Sequence, residues 1–279
     1  MVFKFLFNEL VVLITEVARG ERQSTIFEID VTPHGYDIFE QYDANLIIDR
    51  LLAEHPYELY WYDKTASTQF GSYNGKIIFM FPVSASYSVS GETDTFNINT
   101  SFGQSVTYAV NRAGDIVSSA AGLSDIDKLY FYKQSICDLT EYNNDAGYDT
   151  PYGDPWQMIW VFDDDPATNV VCEGYAKAFK FLCDLTKFNG HIKCSLITGY
   201  MGVWYSEDYP DEGLGGHMWN ILAMDDDKNY LADITNCDSG SIGENDLLFL
   251  KGCFINKVGI LFPVCGMYQT GIKILFFVQ

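Results

Sequence analysis

Over its second half, from residue 124, this chain switches hydrophobic period once, from the three- and four-residue steps of helices to the alternation of strands. That order limits the folds open to it. A Ser124-Asp125 cap opens the helical run DIDKLYFYKQSICDLTEY. A second run, NVVCEGYAKAFKFLCDL, repeats apolar residues at Val171, Tyr175, Ala178, Phe179, Leu182 and Leu185, with Asn169 as its expected N-cap. Between them lie a loop rich in Asn, Asp, Gly and Pro, the segment WQMIWVF and a DDDP turn. After residue 190 come HIKCSLITGYM, HMWNILAM and KNYLADIT, expected as strands, with DDDK closing the last two into a hairpin. Helices followed by antiparallel strands, with no β–α–β alternation, define an α+β domain.

The first 123 residues form an accessory α+β region on the same reasoning, and 124–279 form the main domain. A helix is expected over residues 1–19, a strand at STIFEIDV and a helix ending before Pro56. The alternating runs KIIFMFPVSASYSVS and TDTFNINTSF suit a long antiparallel hairpin turned at Gly91-Glu92. The opening apolar stretch carries Glu9 and Glu16 and has no small-residue cleavage site after it. It reads as an amphipathic helix, not as a signal peptide or membrane span.

The bulk composition excludes more than it selects. With 48% hydrophobic and 16% aromatic residues the chain can bury a sizeable core. Its 38 acidic against 17 basic residues give a net charge of −21, the opposite of what neutralising phosphates requires, so no nucleic-acid partner is expected. Anionic membrane surfaces are disfavoured for the same reason, and no membrane insertion is expected. Seven cysteines is an odd number, and none forms a C-x-x-C pair, so neither a zinc site nor a thioredoxin-type motif is supported. The DDD runs fit no calcium loop and suit turns, which leaves no expected metal and no cofactor.

Cys172 then stands out. It falls in the first turn of its helix, where unpaired N–H groups and the helix dipole favour a thiolate, with Gly174 leaving room beside it. A buried cysteine filling the core is the plain alternative. His217 opens one strand of the hairpin and Asp233 ends the next. They share a face only if the loop holds an odd number of residues. A three-residue loop over 225–227 sets His217 opposite Thr235, with Asp233 as its diagonal neighbour. A thiolate to attack, an imidazole to exchange protons and a carboxylate to orient it make a nucleophilic constellation.

The blocks VVCEGYAKAFKFL, GGHMWNIL and YLADIT, in that order, resemble the three core blocks of the transglutaminase-like superfamily, whose bacterial members typically carry C-E-G-Y-A, G-H-A-W-N and a strand ending in D-x-T. Met218 stands where alanine is common. The resemblance implies a papain-like core in which a cysteine-bearing helix packs on an antiparallel sheet. It assigns Cys172 as nucleophile, His217 as base and then acid, and Asp233 as orienter. It further implies a peptide or protein substrate and, from its relatives, a secreted or cell-surface location. Hydrolysis of the cysteine-peptidase type is the expected activity. Transglutaminase activity, or a non-catalytic surface-binding module that keeps the fold, are the alternatives. For the oxyanion, the Cys172 amide and Gln157, a glutamine ahead of the nucleophile as in papain-like enzymes, are the candidates. Residues 205–216, acidic and glycine-rich, are expected as an exposed loop or a lid.

Overall fold

The structure is a computed structural model. It describes residues 2–34, 41–92, 95–146, 150–204, 215–238, 246–252, 254–256, 259–261 and 273–278. The chain divides into two compact units, residues 1–110 with 145–159, and residues 111–144 with 160–279. It mixes helices with antiparallel sheets, an α+β arrangement.

In the first unit, α1 (Val2–Ala18) packs against β1 (Ile26–Asp30) and α2 (Gln41–Glu54). β2 (Gln69–Tyr73) and β3 (Lys76–Met80) complete a three-stranded antiparallel sheet in the order β1-β3-β2. The β2–β3 turn is Asn74-Gly75, both left-handed at φ 50° and 74°, the backbone that a two-residue hairpin loop requires. Phe27, Trp61, Phe79 and Phe81 fill the core of this unit.

One expectation fails here. The long hairpin over 76–102 does not form, because Pro82 cannot extend the ladder and the chain turns immediately after it. The amides of Tyr87 and Ser88 both donate to the Ser84 carbonyl, at 2.9 and 3.0 Å, and only isolated bridges such as Val83–Thr95 remain. An unforeseen helix, α3 (Gly103–Ser119), follows instead. It buries Val106, Ala109, Ala113 and Ile116 along one stripe.

The second unit holds α4 (Asp125–Leu139), with Ser124 as its N-cap: its hydroxyl oxygen accepts from the Asp127 amide at 3.2 Å. Then come α5 (Cys172–Leu185), β4 (Lys193–Trp204), β5 (Gly215–Ala223), β6 (Asn229–Ala232) and the single-turn α6 (Ile234–Cys237). β7 (Phe249–Gly252), β8 (Phe254–Asn256), β9 (Gly259–Leu261) and β10 (Lys273–Val278) follow. The main sheet is antiparallel throughout, in the order β10-β4-β5-β6-β7, and β8 pairs with β9. α5 lies on β4 and β5, with α4 and α6 against its flanks. Tyr175, Phe179, Leu182, Trp219, Leu222 and Leu231 are fully buried between helix and sheet.

The acidic runs are turns. Ala223 faces Asn229 and the Met224 amide donates to the Lys228 carbonyl at 3.1 Å, which leaves a three-residue loop over 225–227 with Asp227 left-handed at φ 57°. Asp225 also accepts from the His191 amide at 2.7 Å, while Asp125 accepts from the Asn189 and Gly190 amides at 2.8 and 2.9 Å. The two carboxylates together fasten the α5–β4 connection. Asp163 accepts from the Asp165 amide and the Thr168 hydroxyl, both at 2.9 Å, and so shapes the turn before α5.

Candidate active site

Cys172 is the first residue of α5, so its amide is among those with no acceptor inside the helix. The N-cap is Val171, not Asn169, and no side chain caps the helix. Asn169 is occupied elsewhere, accepting from the Glu141 amide at 3.3 Å through its side chain and from Asn143 Nδ2 at 3.1 Å through its carbonyl. Val170 bridges Tyr142 in parallel, with the Asn143 amide donating to the Val170 carbonyl at 2.9 Å. The approach to the cysteine is therefore stitched to the segment that follows α4. Gly174 does leave room, and the chain's own Val170 takes it: a Cβ at Gly174 would lie 2.6 Å from Val170 Cβ. Cys172 itself is partly exposed, unlike the buried Cys183, Cys194 and Cys237.

On the sheet, β5 begins at Gly215 and carries His217 opposite Gly199 of β4. The β5–β6 ladder ends at the pair Asn220–Ala232. The chain then leaves the expected strand and Asp233 becomes the N-cap of α6. Asp233 is fully buried, and its two oxygens have separate tasks. Oδ1 accepts from the Asn236 amide at 3.3 Å, which starts α6, while Oδ2 lies 2.9 Å from His217 Nε2.

With Nε2 on the carboxylate, Nδ1 is the ring nitrogen left to face the thiol, and Cys172 lies near enough to His217 to act on its titration. Burial, the largest influence on His217, disfavours its charged form. The charge and hydrogen bond of Asp233, then the hydrogen bond and charge of Cys172, outweigh it and raise the His217 pKa from an ordinary 6.5 to about 10. The structure thus gathers Cys172, His217 and Asp233 in one unit. A helix start, a mid-sheet strand and a helix cap supply them.

Supporting residues surround these three. Asn236 Nδ2 donates to Asp233 Oδ2 at 2.8 Å and lies 3.4 Å from His217 Nε2, so both groups converge on one carboxylate oxygen. Sequence reasoning missed Asn236, although Asp233 is a residue type that favours the N-cap and so signals a helix start there. Asn220, fully buried on β5, donates to the Ala176 carbonyl of α5 at 3.0 Å and pins the helix that Cys172 starts to the strand that carries His217. The Trp219 ring lies nearly parallel to that of His217, with centroids 5.8 Å apart, and is fully buried in the core.

Gln157 lies in the first compact unit, fully buried between two short 3-10 turns, Asp154–Trp156 and Met158–Val161. Of the loop expected as a lid, residues 205–214 lie outside the described residues, and Gly215 and Gly216 begin β5. Among the described residues, no group of three or more His, Cys, Asp or Glu side chains could hold a metal ion, and no helix is long and apolar enough to cross a membrane.

No protein-family model and no curated protein matches the chain. Among solved structures, one described as "Crystal structure of a TGase" aligns with 77% of this chain at 12% sequence identity and a TM-score of 0.34. The alignment covers 52% of that protein, so this chain spans about half its length. At so slight a likeness, the chemistry has to be argued from the side chains themselves.

Proposed function

We propose that this protein is a thiol-dependent acyl-transfer enzyme with a papain- or transglutaminase-like core, acting on amide bonds of peptides or proteins. The observation that carries the reading is His217, held by Asp233 through Nε2 at 2.9 Å, with the Cys172 thiol near enough to raise its pKa further. Core filler needs no such partner.

In this reading the Cys172 sulfur attacks the amide carbon, and the carbonyl electrons move onto oxygen near the Cys172 N–H. The tetrahedral species collapses, the C–N bond breaks, and the imidazolium of His217 gives its proton to the departing amine. A thioester remains on Cys172. Water, deprotonated by His217, then attacks the thioester carbon, and the acid and the free thiol leave. Asp233 keeps Nε2 protonated and offsets the imidazolium charge throughout. An amine in place of that water would make the same site a transamidase. Hydrolysis is the reading we adopt, on the motif resemblance alone.

The test is alkylation by iodoacetamide followed by mass spectrometry. Cys172 should label at about pH 6, well below the usual thiol range near 8.5, and labelling there should fall steeply in His217→Ala. Cys137, Cys183 and Cys237 should stay unmodified under those conditions: burial, first among its influences, pushes the Cys137 thiol up to about 12, and burial likewise raises Cys183 and Cys237. A Cys172 profile unaffected by loss of His217 would return this residue to the core.

A further inference from the structure

Tyr142 stands beside the candidate site without belonging to the triad. Its backbone is fixed to the approach to Cys172 through the bridge to Val170. Donation from the Val170 amide to the Glu141 carbonyl at 3.3 Å, and the Asn169 contacts already described, reinforce that attachment. A tyrosine locked two residues from the nucleophile's own stretch of chain is nonetheless 41% exposed. Among the described residues nothing engages its hydroxyl, whereas Asn236 is committed to Asp233 and Asn220 to the Ala176 carbonyl. The phenol lies within electrostatic range of Cys172 and Asp233. Burial, then the charges of Cys172 and Asp233, raise its pKa. It therefore keeps its proton at neutral pH and can serve as a hydrogen-bond donor.

We propose that the Tyr142 hydroxyl donates a hydrogen bond to the oxyanion of the tetrahedral intermediate formed on Cys172, as the partner of the Cys172 amide. This rests on the reading that Cys172 is acylated. An acyl donor whose carbonyl carbon meets the sulfur sends its oxygen away from the imidazole, and an exposed phenol anchored beside the helix start is positioned to receive it. The hydrogen bond strengthens only as charge develops on that oxygen, so its effect falls on the rate of acylation.

The probe is p-nitrophenyl acetate with the full-length protein. The thiolate bonds to the acetyl carbon, the carbonyl pair moves onto oxygen and returns, and the C–O bond breaks to release p-nitrophenolate, leaving acetyl-Cys172. The burst of p-nitrophenolate reads acylation. Iodoacetamide provides the control, because displacement of iodide at a saturated carbon forms no oxyanion. Tyr142→Phe should slow the burst by about 100-fold, the lower end of the range for loss of one oxyanion donor, and leave the alkylation rate of Cys172 unchanged. A burst at the wild-type rate in Tyr142→Phe overturns the proposal. So does equal slowing of burst and alkylation, which would put the phenol on the thiol, and so does a loss seen only in Tyr142→Ala, which would make the ring a wall. A burst that survives in Cys172→Ala would sink the acylation reading itself, a result distinct from any of these.

Discussion

At the scale of single residues, the candidate site depends on a carboxylate that water does not reach. Asp233 accepts from a helix amide with one oxygen and from His217 and Asn236 with the other, so its charge is dispersed over three donors. Asp233→Asn keeps the shape and can still cap α6, since asparagine is as good an N-cap as aspartate. Its amide, however, stabilises the wrong imidazole tautomer. Turnover of p-nitrophenyl acetate should fall by about a hundredfold or more, while the protein still folds, at some cost in stability because His217 loses its counter-charge. Loss of stability with retained turnover would mark Asp233 as a cap and nothing more. The cysteine, histidine and aspartate were all legible in the sequence, because three short motifs in order carry them. Asn236 and Tyr142 were not, since their relation to the site arises only when α6 and the segment after α4 have folded against it.

At the scale of elements, legibility followed how much of the local signal was unambiguous. α4 announced itself by Ser124, and the β5–β6 hairpin by its parity requirement, which the three-residue loop meets. The strand expected through Thr235 instead stops at Ala232, because Asp233 captures the amide three residues on and turns the chain into α6. In the N-terminal unit the Asn-Gly pair at 74–75 was a hairpin signal overlooked in favour of the longer alternation that followed it. α3 escaped notice because Gly103, Gly114 and several β-branched residues weaken its propensity, although its buried stripe keeps helical spacing. The start of α5 offers a direct test. Gly174→Ala would push a methyl into the branched side chain of Val170, whose backbone is tied to residues 141 and 143 and cannot retreat. We expect a loss of about 1–3 kcal/mol by urea denaturation. Most of it should be recovered in the Val170→Gly background, which removes the Cβ that the new methyl would meet, and a double-mutant cycle with no coupling would contradict this packing.

At the scale of the whole molecule, the site leaves a signature in the pH dependence of folding. The His217 pKa is raised in the folded chain, from 6.5 to about 10, so the contribution of the imidazolium is fully present below about 6.5. It declines as pH climbs toward 10 and is lost above it. The melting temperature should therefore fall between pH 6.5 and 10 more steeply in the wild type than in His217→Asn, and parallel profiles would refute the linkage. The net charge of −21 adds a general repulsion that both proteins share, which is why the comparison is of slopes.

The two tasks of the Asp233 carboxylate also bear on how a lineage of such proteins would age. If selection for chemistry lapsed, Cys172 could drift at once, because it is partly exposed and is not the N-cap of its helix. His217 and Asp233 could not follow cheaply. Removing either partner of a buried, hydrogen-bonded charge pair leaves the other stranded, at a cost of about 3–5 kcal/mol, a large part of a domain's stability. Retired descendants should then be recognisable by a missing cysteine in front of an intact histidine and aspartate. In comparisons among relatives, a preserved His–Asp pair would report on folding, and the residue at position 172 would tell the living enzymes from the fossils.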